Sequence, residues 1–275
     1  MEAFATYPDL EGKVVVVMGI GQSGPTDVET WGNGAAIALG FTHNKATVFG
    51  CDISIAAAEF TARRLRERGG ACDVMAADVT KLADVQTVID SVMEKYDRID
   101  ILVNNVGMTI SGDPATLEEA VWDKQIDINL KSVYLACHVV LPIMQKQGFG
   151  SIINNASIAG IRYLGKPQVA YNAAKAAVIQ FTKATACIYA PIGIRMNAVA
   201  PGLMHVPLVE TLARSEDPGQ QAAYRKIVEN NVPMGHMGDA VDVANGVVFL
   251  SSASARYITG HTLVIDGGLT CSTGT

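Results

Sequence analysis

The chain has 275 residues, 49% of them apolar and 17% charged, enough to bury one sizeable core. A formal net charge of −6 with no basic run argues against a nucleic-acid surface or a grip on anionic lipid. Five scattered cysteines (Cys51, Cys72, Cys137, Cys187, Cys271) with no C-x-x-C pair point to buried reduced thiols, with no disulfide framework and no metal site.

At the N-terminus, Glu2, Asp9 and Glu11 replace the basic residues of a secretory signal, and the apolar run VVVVMGI is too short to span a bilayer. A soluble, cytoplasmic protein is expected. VVVVM (14–18) reads as the first strand. The segment after it contains two glycine sets: Gly19, Gly21 and Gly24 spell G-x-G-x-x-G, and Gly32 and Gly34 follow. A phosphate loop needs a helix to begin where its glycines end. PTDVETW after Gly24 has no helical stripe, whereas NGAAIALGFTHN does, so the helix is expected near Asn33. Gly32 and Gly34 then form the phosphate-side pair, Gly19 makes the turn out of the strand, and the 19–24 match is a decoy.

ATVFGC (46–51) is the second strand, ending at Asp52. A carboxylate there can accept from adenosine ribose hydroxyls and repel a 2′-phosphate, or it can cap the next helix, as Ser54 also could. No basic residue follows closely, so NAD(H) is favoured over NADP(H). CDVMAA (72–77), IDILVN (99–104), SIIN (151–154), IRMNAV (194–199) and TLVI (262–265) are further strands, separated by segments of helical length. Continuous apolar strands alternating with helices imply a parallel sheet covered on both faces. The expected fold is α/β: one Rossmann domain over 1–275, a doubly wound sheet of about seven strands with helices on both faces. The polar stretch 205–235 is too long for an ordinary connection and is expected to cover the substrate. The short tail CSTGT is the one segment that reads as disordered.

YNAAK places Tyr171 and Lys175 four apart on one helix face. A phenol with a pKa near ~10 is too protonated to act as a base at neutral pH. A lysine cation beside it would lower that value, which suits proton exchange during hydride transfer. Ser157, just past the fifth strand, lies at the sheet edge where ligands bind, and its hydroxyl can donate to a carbonyl oxygen. Taken alone, the first pattern also fits an amphipathic helix and the serine a helix cap.

The ordered set NNVG (104–107), Asn129 in INLKSVY, Ser157, YNAAK, NAVAPG (197–202) and ITGHTLVIDGG (258–268) resembles the short-chain dehydrogenase/reductase family over nearly the whole chain. The resemblance implies Tyr171 as proton donor or acceptor and Ser157 as polariser of the reacting oxygen. Lys175 would bind the nicotinamide ribose, and Asn129 would hold a water that extends the proton relay. On the cofactor side it implies Gly19, Gly32, Asn33 and Gly34 at the pyrophosphate and Asp52 and Ile53 at the ribose. It also implies Asp78 and Val79 at the adenine, and Asn104, Asn105 and Gly107 on a neighbouring loop. Tyr171, Lys175, Pro201, Gly202, Met204 and Val206 would meet the nicotinamide half. A homotetramer, less often a dimer, is implied, built through the helices that carry Asn129 and Tyr171.

Against that pattern the chain has twelve residues (20–31) where the family has three, Met18 and Val206 where it has threonines, and fourteen positions from Ser157 to Tyr171. Trp31 would anchor the longer loop or cover the nucleotide, and anchoring is favoured. Met108, Ile158, Tyr163, Met204 and His205 are expected around a small alcohol or ketone on an apolar or cyclic skeleton. Two other classes use such a fold: a nucleotide-binding sensor or scaffold without turnover, and a non-redox isomerase or lyase. The retained Ser157, Tyr171, Lys175 and Asn129 favour the dehydrogenase.

Overall fold

The computed structural model describes residues 4–24, 29–207, 209, 219 and 232–272. Seven strands form one parallel sheet: β1 (Val14–Met18), β2 (Thr47–Asp52), β3 (Cys72–Ala76), β4 (Ile101–Asn104), β5 (Gly150–Asn155), β6 (Ile194–Pro201) and β7 (Thr262–Ile265). Their spatial order is β3-β2-β1-β4-β5-β6-β7. The order reverses between β1 and β4, the switch point outside which open α/β sheets bind ligands.

β1 shows why these strands are apolar at every position. Val15 and Val17 pack with α1 (Asn33–His43), α2 (Ile55–Arg66) and α7 (Ala240–Ser251). Val14, Val16 and Met18 point the other way, toward α3 (Leu82–Tyr96), α5 (Ser132–Gln147) and α6 (Val169–Tyr189). Side chains alternate across a strand, so a sheet covered on both faces leaves no position for a polar stripe.

α1 begins at Asn33 with Gly32 as its N-cap, as the loop composition predicts. Its residues from Gly34 to Phe41 are all buried. Small side chains permit this: a Cβ on Gly40 would reach Val248 of α7 at 3.0 Å. α4 (Glu119–Ile126) runs through a π-helical turn (Asp127–Lys131) into α5. Among the described residues this run, Glu119–Gln147, is the one long and apolar enough by length and composition to cross a membrane. Its most apolar 18-residue stretch is half buried here, with α5 packed on α3, β4 and β5.

Two short strands, Met204–His205 and Gly238–Asp239, pair in parallel at the two ends of the expected 205–235 excursion. Most of that excursion lies outside the described residues, as do 25–28 of the glycine segment and 273–275 of the tail. The cysteine expectation needs correcting: Cys51, Cys72 and Cys137 are buried, but Cys187 and Cys271 are exposed on the helix and tail that carry them. Burial pushes each of the three inner thiols up to about 12, so they are inert as nucleophiles.

Candidate active site

The first turn out of β1 is made by Gly19 at φ +86°, a left-handed conformation that glycine adopts without strain. The amides of Gly19 and Ile20 both donate to Cys51 O, and Asn105 Nδ2 donates to Gly19 O at 2.8 Å. A Cβ on Gly34 would overlap that same carbonyl, so Gly34 is what lets α1 start against the turn.

A cavity of about 820 Å³ runs along the strand ends here, within the size range of small-molecule sites. Gly19, Asp52, Ile53, Asp78, Val79, Asn105, Gly107 and Met108 line it. Gly21, set aside with the 19–24 decoy, lines it too: its amide donates to Asp52 Oδ2 at 3.0 Å. Gly32, Asn33 and Gly34 stand behind the loop and are not among the lining residues, so their part is to shape it. Asn104 needs a similar correction. It is buried in the sheet, donating to Asn154 Oδ1 at 2.8 Å, and Asn105 is the one that faces the cavity.

Asp52 does not cap α2. Ser54 does, accepting from Ala57 N, while Asp52 Oδ1 accepts from Ser54 N. Asp78 accepts from the Thr80 hydroxyl and amide and pairs with Lys81. The Thr80 hydroxyl bond, ahead of the other causes, holds its carboxyl below the usual range.

Ser157 and Tyr171 stand close enough for the serine hydroxyl to pull the phenol's pKa down. Ser157 also caps the 3-10 turn Ile158–Gly160 by accepting from Ala159 N. Asn172 Nδ2 ties that turn to α6 through Ala159 O at 2.6 Å, and a Cβ on Gly160 would sit 2.6 Å from Ala176 N. Asn172 and Gly160 therefore set the approach of the serine turn to the tyrosine helix. Lys175 is buried, with Nζ donating to Asn155 O at 2.8 Å and standing 5.7 Å from the Tyr171 ring centre. Asn155 Nδ2 reaches Asn105 Oδ1 at 2.7 Å. Two asparagines thus connect the lysine to the Gly19 turn.

The expected lowering of the tyrosine by its lysine is not seen. Burial raises the Tyr171 phenol above its ordinary value, and the Ser157 hydroxyl offsets part of that. Asn129 is wholly buried in the π-helical turn. Its Oδ1 accepts from Met108 N, and its amide hydrogens go to Met108 O and Gln125 O, so the side chain locks the 108 loop. A Cβ on Gly107 would fall 3.2 Å from Asn129 Oδ1 and 3.3 Å from Lys175 Nζ, which places these three groups together.

The remaining expected residues lie apart from the cavity. Pro201 ends β6, Gly202 N donates to Ile265 O, and Met204 is buried on the short ladder beside Val206. Ile158 and Met204 are core residues, 1% and 8% exposed, and only Met108 of the expected substrate-side set lines the cavity, while Tyr163 is exposed. Among the described residues no cluster of metal-ligating side chains occurs.

Burial moves the Lys175 ammonium from 10.5 down to about 8. Between those pH values the unfolded chain keeps a proton that the folded chain has released, so this group makes folding more favourable as pH rises. Below pH 8 the folded state carries the whole cost, about 3 kcal/mol for such a shift. The stability of Lys175→Met relative to the parent is expected to fall by about that amount from pH 7 to pH 10.5 in urea melts. Parallel curves for the two proteins would contradict it.

A dinucleotide fits this arrangement. Gly19 and Gly21 line the cavity at the strand ends, and the carboxylates of Asp52 and Asp78 stand in the same wall, where ribose hydroxyls could donate to them.

Comparison with known proteins agrees. The family model described as enoyl-(acyl carrier protein) reductase matches residues 28–270. The 3-oxoacyl-(acyl-carrier-protein) reductase FabG of Thermotoga maritima is 36% identical over 260 residues, 94% of this chain and 98% of its own. The 3beta-hydroxysteroid dehydrogenase 1 of Eggerthella lenta is 36% identical over 273 residues, 98% of this chain and 97% of its own. A crystal structure from Burkholderia xenovorans, described as a short-chain dehydrogenase/reductase, superposes with a TM-score of 0.89 at 40% identity, covering 96% of this chain and 98% of its own.

Proposed function

The chain belongs to the short-chain dehydrogenase/reductase family of NAD(P)-dependent oxidoreductases, and we propose that it transfers hydride between NAD(H) and a secondary alcohol or ketone, with Tyr171 as acid and base. The observation that carries this reading is the turn of Ser157 held against the Tyr171 helix by Asn172, next to buried Lys175. A bound nicotinamide would supply or accept the hydride. Tyr171 would exchange the proton of the reacting oxygen, Ser157 would polarise that oxygen, and Lys175 would hold ribose hydroxyls. Asn129 supports the lysine end of the site, where it would also steady a relay water.

Gly19, Asp52, Ile53, Asp78, Val79, Asn105 and Gly107 hold the adenosine and pyrophosphate portions. Gly32, Asn33 and Gly34 shape the loop, and Pro201, Gly202, Met204 and Val206 would back the nicotinamide of a bound cofactor. Ile158, Ala200 and Leu269 form an apolar cluster with Leu164, Leu203 and Val232 just beyond Ser157. An apolar or cyclic substrate is proposed by analogy with two similar proteins, whose names specify a 3-oxoacyl chain and a hydroxysteroid ring. The protein is proposed to be soluble and cytoplasmic, to assemble as a homotetramer, and to engage neither nucleic acid nor membrane.

Titration with NADH and NADPH, followed by nicotinamide fluorescence, tests the proposal. NADH is expected to bind tightly and NADPH weakly, and ketone screens with NADH should then show turnover. Binding of neither nucleotide would sink the reading in favour of a scaffold. Asp52→Ala is expected to reduce the preference for NADH over NADPH by about tenfold, since the carboxylate accepts from the ribose and repels a phosphate. An unchanged ratio would leave Asp52 only its bonds to Gly21 and Ser54.

A further inference from the structure

One face of α2 grips the segment between β1 and α1. Ala57, Thr61 and Arg64 follow one another at helical spacing, and Arg68 continues the line just past the helix end. Each meets the segment. A Cβ on Gly21 would touch Ala57 Cβ at 3.0 Å, and Thr61 Oγ1 donates to Ile20 O at 3.1 Å. Among the described residues, Arg64 reaches Gln22, Glu29 and Trp31. Its Nη1 donates to Gln22 Oε1 at 3.3 Å, its Nη2 donates to Glu29 O at 3.0 Å, and its guanidinium carbon lies 3.4 Å from the Trp31 ring centre. Arg68 covers the same ring at 5.1 Å. Gln22 Oε1 also accepts from Gly32 N, so one amide oxygen links Arg64 to the N-cap of α1. Trp31 itself is 4% exposed and belongs to the core.

The described part of the segment is therefore tied down on both sides by one helix, and the fork geometry of Arg64 makes the central tie. Between those ties sits Gly21, whose amide holds Asp52 in the cavity wall. We propose that Arg64 is a positioning residue for the nucleotide site: seated on Trp31 and Gln22, it sets the Gly21–Asp52 contact and thereby cofactor affinity, without touching the hydride-transfer groups. This rests on the NAD(H) reading above.

The test uses the full chain in a Trp122→Phe background, so that Trp31 alone reports by fluorescence. Arg64→Met keeps the bulk and removes the fork. It is expected to shift Trp31 emission to the red and to weaken NADH binding about tenfold, with kcat at saturating NADH within about twofold. Arg64→Lys should restore little, because an ammonium cannot bridge Gln22, Glu29 and the ring together. Gln22→Leu, which leaves Arg64 on Trp31, should weaken NADH binding in the same direction without the emission shift. Unchanged affinity in Arg64→Met, or a fall in kcat as large as the fall in affinity, would overturn the inference alone. A parent protein that binds no NADH would overturn the functional reading and this inference with it.

Discussion

Tyr171→Phe is expected to lower kcat by on the order of 10³-fold while leaving NADH affinity within about twofold, because it removes one oxygen and no cofactor contact of comparable weight. The phenol lies near the Ser157 hydroxyl. The phenylalanine ring can keep the tyrosine's place on α6, so the Asn172 and Gly160 contacts that seat the serine turn survive. What disappears is the proton path. Since burial raises the phenol above its ordinary value, Tyr171 is protonated at neutral pH and is ready to donate as a ketone is reduced. Alcohol oxidation needs the reverse transfer and is expected to gain rate with rising pH. Stopped-flow nicotinamide absorbance would measure both directions, and NADH titration the affinity. Hydride transfer at the parental rate in Tyr171→Phe would mean that another group carries the proton.

The difference between what could be read from the chain and what could not follows the range of each interaction. The strands were legible because a parallel sheet buried on both faces leaves an unbroken apolar run, as in β1. The start of α1 was legible because small and apolar residues follow Gly32 without interruption. The choice between Asn104 and Asn105 was within reach of the alternation rule. Leu102 and Asn104 share the face turned toward α5, where Asn104 also approaches Cys137 Sγ, so Asn105 had to turn to the loop.

Other features depend on contacts far apart in sequence. Lys175 stands four residues from Tyr171, yet its direct partner is Asn155 O, twenty residues away, and burial decides both pKa shifts. Gln22 meets Arg64 at a separation of 42 residues, and no local pattern announces that pair. The asparagine bridge from Gly19 to Lys175 crosses three strand ends and becomes visible only when β1, β4 and β5 are set side by side.

The glycine pair of the loop gives the second large expectation, because the two members play different parts. Gly34→Ala is expected to abolish measurable NADH binding and to destabilise the fold by about 1–3 kcal/mol, the range for overpacking a close site. Its Cβ would overlap Gly19 O and approach Asn105 Nδ2 at 2.7 Å, two groups bonded to each other. Neither is the end of a flexible chain. Gly19 O belongs to a left-handed turn held by Cys51 O, and Asn105 is held by Asn155, so the first turn of α1 must move away from the cavity wall. Gly32→Ala should be mild by comparison. Its φ of −75° suits alanine, and the nearest atom to its Cβ would be Gln22 Cβ at an ordinary 3.6 Å. NADH titrations and urea melts of the two variants would separate the roles: equal losses would mean that the loop has no room for a methyl group at either position, whereas a loss confined to Gly34→Ala would assign its function to the close approach of helix and turn.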